Sequence, residues 1–154
     1  MGNCIVDIAP LANLSELKVL DLGTNRISDL SALADLVNLE QLDLGDNQIS
    51  SISALVELGG LRVLCLSDNQ ISDISPLAEL SRLVRVRVSA NRISDLSPLI
   101  VNNQAGGLGP GDFVDMRCNY LDLTPGSQAM TDMQSLIEGG VGVEYERKDR
   151  YMDW

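Results

Sequence analysis

The chain has 154 residues, 45% of them apolar but only 3% aromatic, with a net charge of −11 at pH 7 and a pI near 4.2. That length suits one domain, its core must be stacked Leu, Ile and Val, and so acidic a chain argues against a nucleic-acid or anionic-membrane partner. The absence of His removes the commonest general base and a frequent metal ligand, and no apolar run reads as a membrane span or signal peptide.

The N-terminal MGNC invites a myristoylation reading, but that pattern wants Ser or Thr where this chain has Val6. A better account is periodic. Asn3 precedes Asn25 by 22 residues, and Ile5, Ile8, Leu11 and Leu14 share the phase of later coils. Residues 3–14 are therefore predicted to be a half coil whose strand is missing, as in a segment of a longer solenoid. Four regular coils follow over 17–101, starting at Leu17, Leu39, Leu61 and Leu83. Leu39, Leu42, Leu44, Asn47 and Ile49 spell LxxLxLxxNxI, and the frame recurs every 22 residues. Self-similarity at such a period marks a stacked repeat architecture.

Within each coil the alternation of LxL predicts a short strand with its leucines inward. The Asn that follows turns the chain and is positioned to bond to backbone groups that have no ladder partner. Ile49, Ile52, Leu55 and Leu58 then fall three apart, the period of a 3₁₀ helix. Ser75-Pro76 and Ser97-Pro98 read as an N-cap followed by the first helical residue. Each regular coil is thus one strand, one Asn turn and a tight return, with no α-helix longer than about two turns.

The rhythm breaks after Leu99. The segment NNQAGGLGPG at 102–111 reads as an inserted loop, so that 102–123 forms an irregular coil in which Val114, Met116, Asn119 and Leu121 resume the frame. Residues 124–145 read as a C-terminal cap. Pro125 opens its helix with Thr124 as the candidate cap, Met130, Met133 and Ile137 follow at helical spacing, and Gly139-Gly140 ends it. Val141, Val143 and Tyr145 then alternate as a last strand, and a charged tail occupies 146–154.

The frame, with NQISDISPLAEL at 69–80, resembles the leucine-rich repeat family in its short-repeat class, typified by internalins and phosphatase-regulator repeats. LGPGDFVDMRCNYLD at 108–122 resembles the last repeat of bacterial members. The resemblance covers about three quarters of the chain. It implies an α/β solenoid: a right-handed superhelix with a concave parallel sheet, an irregular 3₁₀ convex side and a helix-strand cap. It also implies a bacterial protein that binds other proteins without catalysis, and it leaves the partner unnamed.

Outward strand positions stack in columns. One column reads Asp21, Asp43, Cys65, Arg87, Asp115, Glu144; its neighbour reads Val19, Gln41, Val63, Arg85, Phe113; a third reads Gly23, Gly45, Ser67, Ser89, Arg117. A partner on the concave face would meet Val19, Asp21, Gln41, Asp43, Val63, Cys65, Arg85, Arg87, Phe113, Asp115 and Arg117. Net charge is −7 over residues 1–60, +1 over 61–100 and −5 over 101–154, so a basic island stands between two acidic ends. Arg87 either pairs with Asp115 across the sheet or remains open to a partner's carboxylates. Phe113 is either an outward anchor beside Arg85 or covered by the 102–111 loop. Asp21 and Asp43 are either an acidic spot for a basic partner or simply a solvated face.

The three cysteines, Cys4, Cys65 and Cys118, fall at outward phases and cannot all pair within one chain. Free thiols favour a reducing compartment such as the cytoplasm. No Cys or Asp spacing suggests a metal site, and nothing suggests a cofactor. Cys65 lacks a base beside it, which disfavours an enzyme. The leading expectation is a protein-interaction module; the alternative is a spacer within a longer multidomain protein. The strandless half coil leaves the Leu17–Leu22 edge open, which predicts a weak homodimer through the N-terminal end.

Overall fold

The computed structural model describes residues 3–145; the charged tail at 146–154 lies outside the described residues. Six three-residue strands form one open parallel sheet in sequence order. They are β1 (Val19–Asp21), β2 (Gln41–Asp43), β3 (Val63–Cys65), β4 (Arg85–Arg87), β5 (Phe113–Asp115) and β6 (Gly142–Glu144). The central residues Leu20, Leu42, Leu64, Val86, Val114 and Val143 are in register and point inward. The returns are 3₁₀ turns at Ala9–Leu11, Ser31–Leu33, Ser53–Leu55 and Ser75–Glu79, as the three-residue apolar spacing predicts. The fold is the expected leucine-rich solenoid. Each buried Leu or Ile contributes about 1.5–3 kcal/mol, and Leu39, Leu42, Leu44, Ile49, Ile52, Leu55 and Leu58 of one coil are at most 1% exposed.

The turn after each strand has one recurring geometry. Thr24, Asp46, Asp68, Ala90 and Cys118 all take φ between 53° and 57°, a left-handed conformation costly for non-glycine residues. The twist aims two consecutive N–H groups at the next coil: Thr24 and Asn25 donate to the carbonyls of Gly45 and Asp46. The following Asn completes the turn. Asn47 Oδ1 accepts from Ile27 N at 3.0 Å in the preceding coil, and its Nδ2 donates to the carbonyls of Leu22 at 3.0 Å and Leu44 at 3.1 Å. Asn69, Asn91 and Asn119 repeat the pattern. The Asn column is thus the predicted ladder, and among the described residues no buried side-chain nitrogen or oxygen lacks a partner.

Four local expectations need correction. Ser75 and Ser97 do not cap their returns. Asp73 and Asp95, two residues earlier, accept from the Ser75 and Ser97 N–H groups at 2.8 and 2.9 Å, and Asp29 does the same for Ser31. An Asp side chain can close such a turn onto the backbone two residues ahead, which a Ser at the turn's end cannot. Secondly, 102–111 is not wholly loop. Helix α1 (Ser97–Gln104) runs into it, and Asn102 is fully buried, donating to the carbonyls of Leu77 and Leu80 and accepting from Leu108 N at 2.8 Å. Gly107 is required there, since a Cβ would come within 2.3 Å of Asn102 Oδ1.

Thirdly, helix α2 (Gln128–Glu138) is capped by Ser127, whose Oγ accepts from Met130 N, and not by Thr124. Pro125 and Gly126 form a preceding turn in which Gly126 takes φ 87°. The helix buries Ala129, Met133 and Leu136 and leaves Ile137 exposed. Tyr145 is likewise exposed and not inward. Fourthly, of the half-coil residues only Ile8 is buried; Ile5 and Leu14 are exposed because no further coil covers them. Leu17 and Leu20 are only partly buried for the same reason.

The Asn column carries the first prediction. Asn47→Ala or Asn69→Ala deletes bonds to three carbonyls and one N–H, and each is expected to cost about 1–3 kcal/mol. Urea unfolding measures it. Unchanged midpoints in both variants would show that water satisfies those groups.

Candidate functional site

The columns on the concave face fall in the register the 22-residue spacing predicts: Val19, Gln41, Val63, Arg85 and Phe113 align, as do Asp21, Asp43, Cys65, Arg87 and Asp115. Eleven sequence-predicted positions divide into two groups and three outliers. Arg85, Arg87, Phe113, Asp115 and Arg117 line one shallow depression of about 400 Å³, joined by Glu144 from β6. Asp21, Asp43 and Cys65 line a second of about 380 Å³, joined by Gly23, Gly45, Asp46, Ser67 and Asp68. Val19, Gln41 and Val63 line neither of these depressions.

In the first depression the charges are unevenly used. Asp115 does not pair with Arg87. Its carboxylate is gripped by Arg117, two residues along the same strand end, through Nε at 2.9 Å and Nη2 at 2.7 Å. Arg117 Nη2 also approaches Glu144 at 3.4 Å. The fork geometry of a guanidinium favours this two-point grip over a single contact from the neighbouring strand. Asp115 is only 5% exposed, so little of it faces the surface. Burial pushes its carboxyl up, but the Arg117 hydrogen bonds and charge, with a further pull from Arg87, bring it below the usual carboxylate range.

Arg85 and Arg87 are exposed and make no ion pair among the described residues. The Arg85 guanidinium lies 5.9 Å from the centre of the Phe113 ring, within cation–π range. Phe113 is half-buried and pairs in register with Gly142, where a Cβ would come within 3.4 Å of the ring. The bare backbone there leaves the ring room to lie down on the sheet.

In the second depression the carboxylates turn back on their own chains. Asp21 Oδ1 accepts from Gly23 N at 2.9 Å and Asp43 Oδ1 from Gly45 N at 2.8 Å. Cys65 stands next to Asp43, and burial first, then the Asp43 charge, pushes its thiol up despite the Ser67 N–H. A thiol so placed stays protonated and is a poor nucleophile. Among the described residues no three His, Cys, Asp or Glu side chains are placed to hold a metal ion. The three cysteines are free and at least partly exposed, as their phases predict. Glu144, Asp46 and Asp68 are missing from the predicted contact set, although the same register would have placed them.

Family comparison decides the wider class. A leucine-rich repeat model matches residues 6–49, and a model of two leucine-rich repeat copies matches 60–101. The chain belongs to the leucine-rich repeat family. Among solved structures, internalin C2 from Listeria monocytogenes is 32% identical, with a TM-score of 0.74 over 92% of this chain and 57% of that one. An internalin, InlF, from the same organism is 27% identical, with a TM-score of 0.74 over 96% of this chain and 42% of that one. A leucine-rich repeat protein of Leptospira interrogans shares the fold at 20% identity, with a TM-score of 0.77 over 92% of this chain and 35% of that one. This repeat domain therefore spans about half the length of the two internalins. No curated protein matches its sequence. In the general sense that applies to its family, the leucine-rich repeat chain is a protein-interaction module, and no helix among its described residues is long and apolar enough to cross a membrane.

The Asp115–Arg117 pair gives a pH prediction. Because the folded carboxyl sits below its ordinary 3.8, the pair stabilises above that pH and the contribution fades as pH falls. Arg117→Met leaves a buried carboxylate short of donors and should cost about 1–3 kcal/mol at neutral pH. The gap from the parent chain should close in acid, as the carboxyl protonates in both. Urea midpoints across that range are the check; a gap independent of pH would assign the loss to packing.

Proposed function

We propose that this domain is a non-catalytic recognition module that binds a protein or peptide partner on its concave sheet, centred on Arg85, Arg87 and Phe113. The observation that carries the reading is a pair of exposed guanidiniums on one strand that make no ion pair among the described residues, beside an aromatic ring. Interfaces favour such Arg and aromatic anchors. The raised Cys65 thiol and the absence of His support binding over chemistry. Free thiols support a reducing compartment as its place of work, and the Listeria and Leptospira likenesses support a bacterial source. Affinity capture from the source organism tests the face. Arg85→Glu with Arg87→Glu should abolish capture and leave the melting temperature unchanged, since both side chains are exposed. Undiminished capture would move the site to the convex face or the 105–111 turn.

A second reading, a spacer within a longer chain, is favoured by the open edge of β1, which pairs on one side only. A spacer would tolerate both reversals in every binding assay. The same edge, with Val19 exposed and an apolar groove beside Leu14 and Leu17, also supports a weak homodimer. The surrounding acidic charge opposes close approach, so added salt should favour the dimer by screening. Sedimentation at low and high salt measures this; a strict monomer at both would show that the half coil closes the stack.

A further inference from the structure

Arg85 and Arg87 leave the same face of β4 two residues apart, a separation of about 6.6 Å at strand rise. Of the neighbouring cations, Lys18 pairs with Glu40 and Arg117 with Asp115 and Glu144, while Arg62, just before β3, is exposed and makes no ion pair among the described residues. Arg117's two-point grip takes the carboxylate opposite Arg87 in the register, so Arg87 acts on Asp115 only through its charge and makes no ion pair among the described residues. The Phe113 ring carries Arg85 over its face at 5.9 Å, a contact that uses the guanidinium's plane and none of its N–H donors. Two such forks suit two carboxylates, each taken by a pair of parallel hydrogen bonds.

The surrounding charge limits what can bring those carboxylates. Strands stack about 4.8 Å apart, so β2 lies roughly 10 Å and β1 roughly 14 Å from β4. At that distance stand Asp21 and Asp43, with Asp46 and Asp68 behind them. The Asp21 and Asp43 carboxylates are bonded to their own backbones, and the four together form no site of their own; they set the sign of the local field. A continuous run of negative charge laid across the sheet would meet them and be repelled, whereas a short acidic step would not.

We propose that the ligand is a protein segment presenting two neighbouring Asp or Glu side chains to Arg85 and Arg87, with a Lys or Arg about three to four residues away over the Asp21–Asp43 end, the distance set by extended-chain rise. This rests on the concave-face reading above and names the partner's chemistry. Long polyanions, nucleic acid included, are excluded by the same pattern.

The isotope-labelled chain tests it by NMR. A carboxylate-bearing nitroxide should broaden amides around Arg85 and Arg87 more than an ammonium-bearing one, with the preference reversed around Asp21 and Asp43. The peptide Lys-Lys-Ala-Ala-Glu-Ala-Glu, in one of its two orders, should bind roughly tenfold tighter than an all-Glu heptapeptide. It should shift amides of both β2 and β4, and lose binding to the Arg85→Glu, Arg87→Glu chain. Equal or tighter binding of all-Glu, no peptide binding at millimolar concentration, or no anionic nitroxide preference at β4 overturns the proposal. If capture of a natural partner still depends on Arg85 and Arg87, the concave-face reading survives that failure; if it does not, both fall.

Discussion

Everything on the concave face depends on one amide side chain per coil. Asn47 bonds at once to its own turn, through Leu44 and Gly45, and to the coil before it, through Ile27 and Leu22. A side chain that bonds two groups of its own turn and two of the coil before it leaves little freedom of slip between them. The left-handed residue before each Asn serves the same end by turning two N–H groups toward the next coil. Five such residues, none of them glycine, hold a strained conformation because the surrounding ladder over-determines it. A parallel sheet of three-residue strands would otherwise be marginal; here the Asn turns lengthen its hydrogen-bonded edge beyond the strands themselves.

That constraint turns sequence position into a spatial address. Residues 22 apart in the regular coils become neighbours in a column, so the charge sequence of one phase is the charge profile of the face. The profile runs from acidic at β1 and β2 to basic at β4. The Asp115–Arg117 pair then cancels itself at β5, and β6 adds Glu144. Cancellation at β5 has more effect than its neutral sum suggests. Because Arg117 takes the buried carboxylate, Arg87 keeps its charge on the surface, and the basic island survives beside an acid that would otherwise quench it.

The solenoid, its strands and their columns were legible because they follow from periodicity, and periodicity needs no knowledge of side-chain rotamers. What escaped were choices among equally well-phased groups. Asp115 has a cation on the next strand and another two residues along, and only the fork geometry of Arg117 separates them. Phase put Phe113 on the outward side but left open how far it is covered; it is half-buried, with its ring beside Gly142 of β6. The Asp-x-Ser turns hid because both residues are good capping types, and the backbone decides which one is in reach. Helix α2 was found but misphased, since Pro125 suggests a start that Gly126 then cancels.

The two ends of the stack differ in how they stop, and the difference bears on where recognition sits. At the C-terminal side α2 packs on α1 and covers the core with Ala129, Met133 and Leu136, and Val141 after it is buried as well, so β6 is supported from behind. At the N-terminal side Leu20 is half-exposed while Leu42, Leu64 and Val86 are at most 1% exposed. Coils in a solenoid draw stability from their neighbours, so a strand paired on both sides over a buried core is a firm platform for surface side chains. Arg85 and Arg87 stand on such a strand, β4, with fully buried Val86 between them and β3 and β5 on either side, and the support beneath them agrees with the charge pattern from which the proposed site is argued.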